Sequence, residues 1–185
     1  MNTEALPSFE RDIADTLLAI QQCVAAKQHM PTKILIYSLI DSLAWAASEK
    51  RSMSTRRNFE NWVSQWMLPK LGVTGVPVAP QDLYAARCAV LHTMTPDSDL
   101  SRAGSARTIA YAWGTAKTEL LDFAFSSQKI TSVVAVHYDA LVDALRIGIA
   151  DFLEAAESNE SLRKNLSDAA SSHYIYFPVQ SGESE

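Results

Sequence analysis

The stretch PTKILIYSLIDSLAWAASEK, from Pro31 to Lys50, is the part of the sequence that decides the fold. Drawn as a helix, it carries apolar side chains on almost every side, which is typical of a helix enclosed by others rather than of a surface helix. Its few polar side chains form one stripe, made of Ser38, Asp41 and Ser42. Because such a helix needs neighbours all round, the sequence predicts a mainly α-helical bundle with residues 31–50 at its centre.

About five helices are predicted from apolar residues that recur at spacings of three and four. They cover roughly residues 8–30, 31–50, 58–69, 80–94 and 132–158, with Ser8 as the cap of the first. Proline and glycine mark residues 69–80 as a loop, and residues 95–106 are predicted to be an exposed loop. We expect the long last helix to pack against the central one. The pattern of residues 115–130 favours no single structure.

Two short strands are predicted beside the helices. Residues 107–113 alternate large and small side chains, and residues 173–179 have the composition of a strand, so we expect the two segments to pair. A chain of 185 residues supports one sizeable core. The sequence therefore predicts a single domain over residues 1–180, followed by a flexible acidic tail at residues 181–185.

The composition excludes several classes of protein. The longest apolar runs fall far short of the roughly 20 residues that cross a bilayer, and the N-terminus lacks the features of a signal peptide, so we expect a cytoplasmic protein with no membrane partner. Cys23 and Cys88 are the two cysteines, and they form no C-x-x-C pair. Neither a metal site nor a cofactor is therefore expected. The net charge of −5 does not suggest a nucleic-acid coat protein, although a local basic patch is compatible with it.

The predicted fourth helix carries a charged residue where an apolar one is expected. At about 100° per residue, Arg87 falls within the apolar stripe that consists of Leu83, Ala86, Val90, Leu91 and Met94. A guanidinium stays charged, so its burial requires an acid, an anion or a route to solvent. Asp41, in the polar stripe of the central helix, has the same problem with the opposite sign. We predict that Arg87 and Asp41 form a pair.

His92 lies further round the same helix, on a face that otherwise consists of Ala85, Cys88 and Ala89. Small side chains permit a close approach of another helix. A helix with an apolar stripe on one side and a small-residue face on the other is expected to have two neighbours, and one of them could come from a second subunit.

The tract RCAVLH, from Arg87 to His92, resembles the R-x4-6-H motif of the HEPN superfamily, whose compact helical bundles include many RNA-cleaving toxins and defence effectors. The tract lies late in a helix, after a buried central helix and before a long C-terminal one. The resemblance in helix order therefore extends over roughly residues 8–158. It implies a HEPN-like bundle that forms a homodimer, in which paired motif helices line a cleft for single-stranded RNA.

The resemblance implies a metal-independent endoribonuclease, a hydrolase of a toxin–antitoxin or antiviral defence system, with RNA as substrate and an antitoxin or other protein as a further partner. Arg87 would bind the scissile phosphate, and His92, as a residue type that exchanges protons near neutral pH, would act as general base or acid. Many active members carry a polar residue after the arginine. This chain has Cys88 there, which positions a phosphate less well.

Several alternatives remain open. Arg87 could serve only to join two helices through Asp41, and His92 could be a helix-end histidine stabilised by the helix dipole. The chain would then be a non-catalytic HEPN-like module for dimerisation or for binding a nucleotide, RNA or protein, or an unrelated helical interaction protein. A basic stretch that contains Arg51, Arg56 and Arg57 could extend an RNA path, although such runs between helices are more often solvated. Trp62 and Trp66 are predicted to be core residues.

Overall fold

A computed structural model describes residues 5–49, 54–72 and 76–172 of the chain. The predicted strand at residues 173–179, the acidic tail and Arg51 lie outside the described residues. The helices and strands, in chain order, are α1 (Ala5–Ala25), α2 (His29–Ala47), α3 (Thr55–Trp62), α4 (Pro80–Thr93), α5 (Asp99–Arg102), β1 (Thr108–Ala112), α6 (Thr118–Ser127), β2 (Val133–His137), α7 (Tyr138–Ser158) and α8 (Glu160–Ala170). A π-helical turn, Val63–Met67, and a 3-10 turn, Leu68–Lys70, extend α3.

The predicted mainly α-helical fold with two short strands is confirmed, and α2 is its central helix. The neighbours of α2 are α1, α3, α4 and α8. Ile36, Ile40 and Leu43 have no exposed surface, while Ser38 and Ser42 of the polar stripe reach solvent. An all-round apolar helix is thus covered by helices on its apolar sides, as its composition demands.

The two strands form a parallel pair, with Thr108 opposite Val133 and Ala112 opposite His137. Helix α6 connects them, in the part of the chain to which the sequence assigned no structure. The strand prediction for residues 107–113 is confirmed, and among the described residues this strand pairs with β2; the predicted pairing with residues 173–179 lies outside them. The prediction that a helix begins at residue 132 is wrong. Residues 133–137 are strand because the β-branched side chains of Val133, Val134 and Val136 favour extended backbone, and Val134 and Val136 are buried.

Other helix boundaries also differ from the prediction. Helix α1 begins before Ser8 and ends at Ala25, where Lys27, with φ 55°, reverses the chain. Helix α2 begins at His29, and Pro31 is accommodated because the first turn of a helix lacks internal N–H partners. A short helix, α5, interrupts the predicted loop at residues 95–106. Helix α8 was not predicted as a separate element.

Helix α7 packs mainly on the turns at residues 63–70 and on α8 rather than on α2, contrary to expectation. The reason is a close backbone approach. A Cβ placed at Gly148 would lie 2.7 Å from the carbonyl oxygen of Trp66, so only glycine fits there. Phe152, one turn later, makes edge contacts with the rings of Trp62 and Trp66. Trp62 is buried and Trp66 partly so, as expected of core residues.

Two buried carboxylates join the strands to the helices. Asp82, in the first turn of α4, is 2% exposed and accepts hydrogen bonds from the backbone N–H groups of Ala79 and Arg107 and from the Arg107 guanidinium, at 2.6–3.1 Å. Asp122 of α6 accepts from the N–H groups of Val76 and Ala135. Both side chains therefore replace backbone partners that loops and strand ends would otherwise lack.

The structure bears on the membrane in one respect only. Within residues 5–49, 54–72 and 76–172, no helix has both the length and the apolar character that a bilayer span requires.

Candidate functional site

The predicted pair of Arg87 and Asp41 is present. The Nε and Nη2 atoms of Arg87 both lie close to Oδ2 of Asp41, at 2.7 Å and 2.5 Å. The arginine side chain is 15% exposed and the aspartate side chain 20% exposed, so water screens the pair weakly. Helices α2 and α4 pack against each other here, and Lys33 and Met94 line one cavity further along the same two helices. The prediction of a contact between these two helices through opposite charges is confirmed.

Arg87 keeps its charge in this setting. Burial by itself would lower the pKa of Arg87, but the hydrogen bond and the charge of Asp41, with a smaller effect of Cys88, outweigh burial and raise that pKa. The carboxylate is not fully satisfied in return. Its second oxygen, Oδ1, is buried and has no hydrogen-bond partner among the described residues. Asp41 is thus held by Arg87 through one oxygen, and losing Arg87 would leave a poorly solvated charge.

His92 completes the arrangement. Its Nε2 atom lies 3.1 Å from Nη1 of Arg87, and the imidazole is exposed in the last turn of α4. A guanidinium only donates hydrogen bonds, so this contact requires Nε2 to accept and to carry no proton. Met94, with φ 53°, ends the helix directly afterwards. The two motif residues therefore meet on one side of α4, with Asp41 behind the arginine.

No protein-family model, curated protein or solved structure matches this chain. Membership of the HEPN superfamily therefore stays a prediction that depends on the tract from Arg87 to His92 and on the order of the helices.

The sequence did not indicate Tyr84 as part of this site. The guanidinium carbons of Arg56 and Arg87 each lie 5.9 Å from the centre of its ring. Burial, followed by the neighbouring Cys88, raises the pKa of Tyr84, so its hydroxyl stays protonated. Tyr84 lies three residues before Arg87, and residues at this spacing lie on the same side of a helix, so the contact between Tyr84 and Arg87 could have been predicted from the sequence. Arg56 belongs to another helix, so its contact with Tyr84 could not have been predicted from spacing.

The arginines that were predicted to extend an RNA path differ in their surroundings. Arg56 lies against Tyr84 but also forms an ion pair with Glu60 at 2.7 Å, one turn later in α3. Arg57 is exposed. Arg51 lies outside the described residues. Of the three, Arg56 is therefore the one that the structure brings next to Arg87.

The small-residue face predicted for a second subunit is largely used within the chain. Ala85 and Ala89 are buried, and α4 packs against α2, α3, α5 and β1. The side of α4 that stays partly exposed carries Tyr84, Arg87, Cys88, Leu91 and His92. The motif residues, rather than the alanines, are what this helix presents to other molecules.

This arrangement suits anion binding and proton transfer. Arginine has five N–H donors; Asp41 accepts from two and His92 from one, and Cys88 also interacts with the guanidinium, so the N–H groups that remain are available to an anion. His92 is accessible to accept or donate a proton. Across the ranges that the structure describes, no three His, Cys, Asp or Glu side chains are grouped to hold a metal ion.

Proposed function

We propose that this chain is a metal-independent endoribonuclease of HEPN type, a cytoplasmic enzyme of a toxin–antitoxin or antiviral defence system. One observation carries the proposal: Nη1 of Arg87 lies 3.1 Å from Nε2 of the exposed His92. A phosphate-binding group and a proton-transferring group thus lie side by side on the part of α4 that solvent reaches.

The reaction needs no group beyond those that this arrangement offers. The base removes the proton from a ribose 2′-hydroxyl, and the 2′-oxygen attacks phosphorus while the bond to the 5′-oxygen breaks. The acid then protonates the leaving oxygen, which gives a 2′,3′-cyclic phosphate and a 5′-hydroxyl end. Arg87 stabilises the charge on the phosphoryl oxygens in the transition state. Asp41 holds the guanidinium in place and so acts as a positioning residue.

Two proton-transfer groups are needed, one base and one acid, and the motif of each chain contains one histidine. In a homodimer with the motif helices side by side, His92 of one subunit acts as the base and His92 of the other subunit as the acid. The partly exposed strip of α4 favours this arrangement, because it places both motif residues where a second copy can approach. An antitoxin that covers the same strip would inhibit the enzyme.

A second candidate is a non-catalytic HEPN-like module that binds RNA, a nucleotide or a protein. The ion pair favours it, because Asp41 already neutralises Arg87. The presence of Cys88 where many active members have a polar residue points in the same direction. In this case Arg87 joins α2 to α4 and no RNA is cut.

The decisive experiment incubates purified protein with single-stranded and structured RNA in EDTA and analyses the new ends. Variants Arg87→Lys and His92→Ala test the site, because lysine retains the charge but not the planar fork. The matched control is Arg146→Ala, which removes an exposed arginine of α7 that pairs with the neighbouring Asp143. Circular dichroism confirms that each variant folds.

We expect cleavage in EDTA by wild type and Arg146→Ala, with 2′,3′-cyclic phosphate ends, and a loss of at least 100-fold in His92→Ala, as for removal of a general acid or base. Intact RNA with every protein would refute the nuclease proposal and support the binding module. Cleavage that His92→Ala leaves unchanged would identify a contaminating nuclease.

A further inference from the structure

A second group of basic and aromatic side chains lies where the carboxyl ends of β1 and β2 meet the turn between α1 and α2. Trp113, directly after β1, is 51% exposed. The His29 ring lies 5.0 Å from the Trp113 ring, and Nζ of Lys27 lies 5.9 Å from the centre of the Trp113 ring. These three residues, which we call the Trp113 platform, have no part in the site around Arg87.

The exposed indole is held in a defined position. The backbone turns immediately after it, since the N–H of Ala116 donates to the carbonyl of Trp113 and Gly114 has φ 64°. The carbonyl of Gly114 lies 3.1 Å from Nε2 of His137, at the end of β2. His29 also contacts the ring of Tyr138, so its imidazole is packed between two aromatic rings. A large apolar ring that is both fixed and exposed is typical of a binding surface.

Two lysines lie beside aromatic rings in this region and supply positive charge of the kind that binds phosphate. Lys27 lies at the ring itself, and Lys33, on the next turn of α2 after His29, lies 5.2 Å from the ring of Tyr111. Tyr111 belongs to β1 and Trp113 follows it by two residues, so each lysine lies beside one of two aromatic rings that are close in the chain. Lysine side chains are flexible, and Lys27 can move from the ring to a phosphate when a base takes its place.

We propose that the Trp113 platform binds single-stranded RNA, with an unpaired base stacked on Trp113 and its phosphates beside Lys27 and Lys33. The choice of RNA depends on the proposed function, whereas the stacking and charge geometry do not. An aromatic side chain stacks on the face of any base, so the platform would add affinity without reading sequence. Paired bases in a duplex do not expose their faces, and the platform therefore selects unpaired segments.

The test uses a short single-stranded oligonucleotide with 2′-O-methyl groups, which lacks the nucleophile and cannot be cleaved. Binding is followed by tryptophan fluorescence in EDTA. The variants are Trp113→Phe, Trp113→Ala and Lys27→Gly, with Trp45→Phe as the matched control for another partly exposed tryptophan. Glycine is tolerated at position 27 because the backbone there has a positive φ, so Lys27→Gly removes the ammonium without straining the turn.

We expect the RNA to quench wild type and Trp45→Phe, and the quenching to disappear in Trp113→Phe. Trp113→Ala should weaken binding by roughly 5- to 150-fold, the range for loss of one stacked base. Lys27→Gly should lower the slope of log K against log salt by about 1. A duplex of the same sequence should compete poorly.

Equal affinity in wild type and Trp113→Ala would overturn the proposal, as would fluorescence changes with vesicles of anionic phospholipid but not with RNA. The two proposals can fail separately. Cleavage that needs His92 but is insensitive to Trp113 refutes only the platform. Binding that needs Trp113, without cleavage of ordinary RNA, refutes only the nuclease.

Discussion

The ion pair between Asp41 and Arg87 allows a quantitative prediction about stability. Fully buried pairs cost about 3–5 kcal/mol when one partner is removed, and exposed pairs about 0–1 kcal/mol. With side chains 15% and 20% exposed, the pair lies between these limits. We expect Arg87→Ala and Asp41→Ala each to lower the free energy of unfolding by about 2 kcal/mol, which is a fall in Tm of about 4–8 °C for a chain of this size.

The double variant distinguishes a true pair from two independent contacts. Once both charges are absent, no unpaired charge is left between α2 and α4, so Asp41→Ala/Arg87→Ala should also lose about 2 kcal/mol rather than the sum of about 4 kcal/mol. Urea denaturation followed by circular dichroism measures all four proteins. Additive losses would refute the reasoning, because they would mean that neither charge depends on the other.

Three further predictions concern the stability of the fold. Gly148→Ala should destabilise the protein by about 1–3 kcal/mol in thermal unfolding, since its Cβ would meet the carbonyl oxygen of Trp66 at 2.7 Å; a neutral effect would mean that α7 can shift. Asp82→Ala should lower the free energy of unfolding, measured by urea denaturation, by about 3 kcal/mol, because Arg107 loses its ion-pair partner and the first turn of α4 loses its cap. A loss below about 1 kcal/mol would contradict this. Burial raises the pKa of Tyr138 from 10.0 to about 12, so the stability that its proton provides is complete below pH 10 and is lost as the pH rises towards 12. Circular dichroism against pH should show this loss, and Tyr138→Phe should lose less stability over the same range.

The contact between Asp41 and Arg87 could be predicted because Arg87 occurs within the apolar stripe of its helix, and Asp41 lies in the polar stripe of a helix that is otherwise buried. When two buried charges of opposite sign lie on helices that pack together, a salt bridge between them satisfies both. The central position of α2 could be predicted for a similar reason, since an all-round apolar helix is stable only when enclosed. Both conclusions depend on a local sequence pattern and on the free-energy cost of placing a side chain in the wrong surroundings.

Other features depend on contacts between distant parts of the chain. Val134 fits the apolar stripe of a helix as well as it fits a strand, and β1, far earlier in the chain, decides between them. The position of Arg56 against Tyr84 depends on how α3 packs against α4. Likewise, Ala85 and Ala89 form a small-residue face whether the neighbour belongs to the same chain or to another. Periodicity identifies such a face but not its partner.

The buried carboxylate of Asp122 has a consequence for how this protein avoids unwanted association. A sheet of two strands has two outer edges, and a free edge is a template on which a strand of another molecule can add. One carboxylate oxygen of Asp122 accepts a hydrogen bond of 3.3 Å from the N–H of Ala135, on the outer side of β2. The side chain therefore does locally what a third strand would do, and at that residue it blocks the growth of the sheet from one molecule to the next.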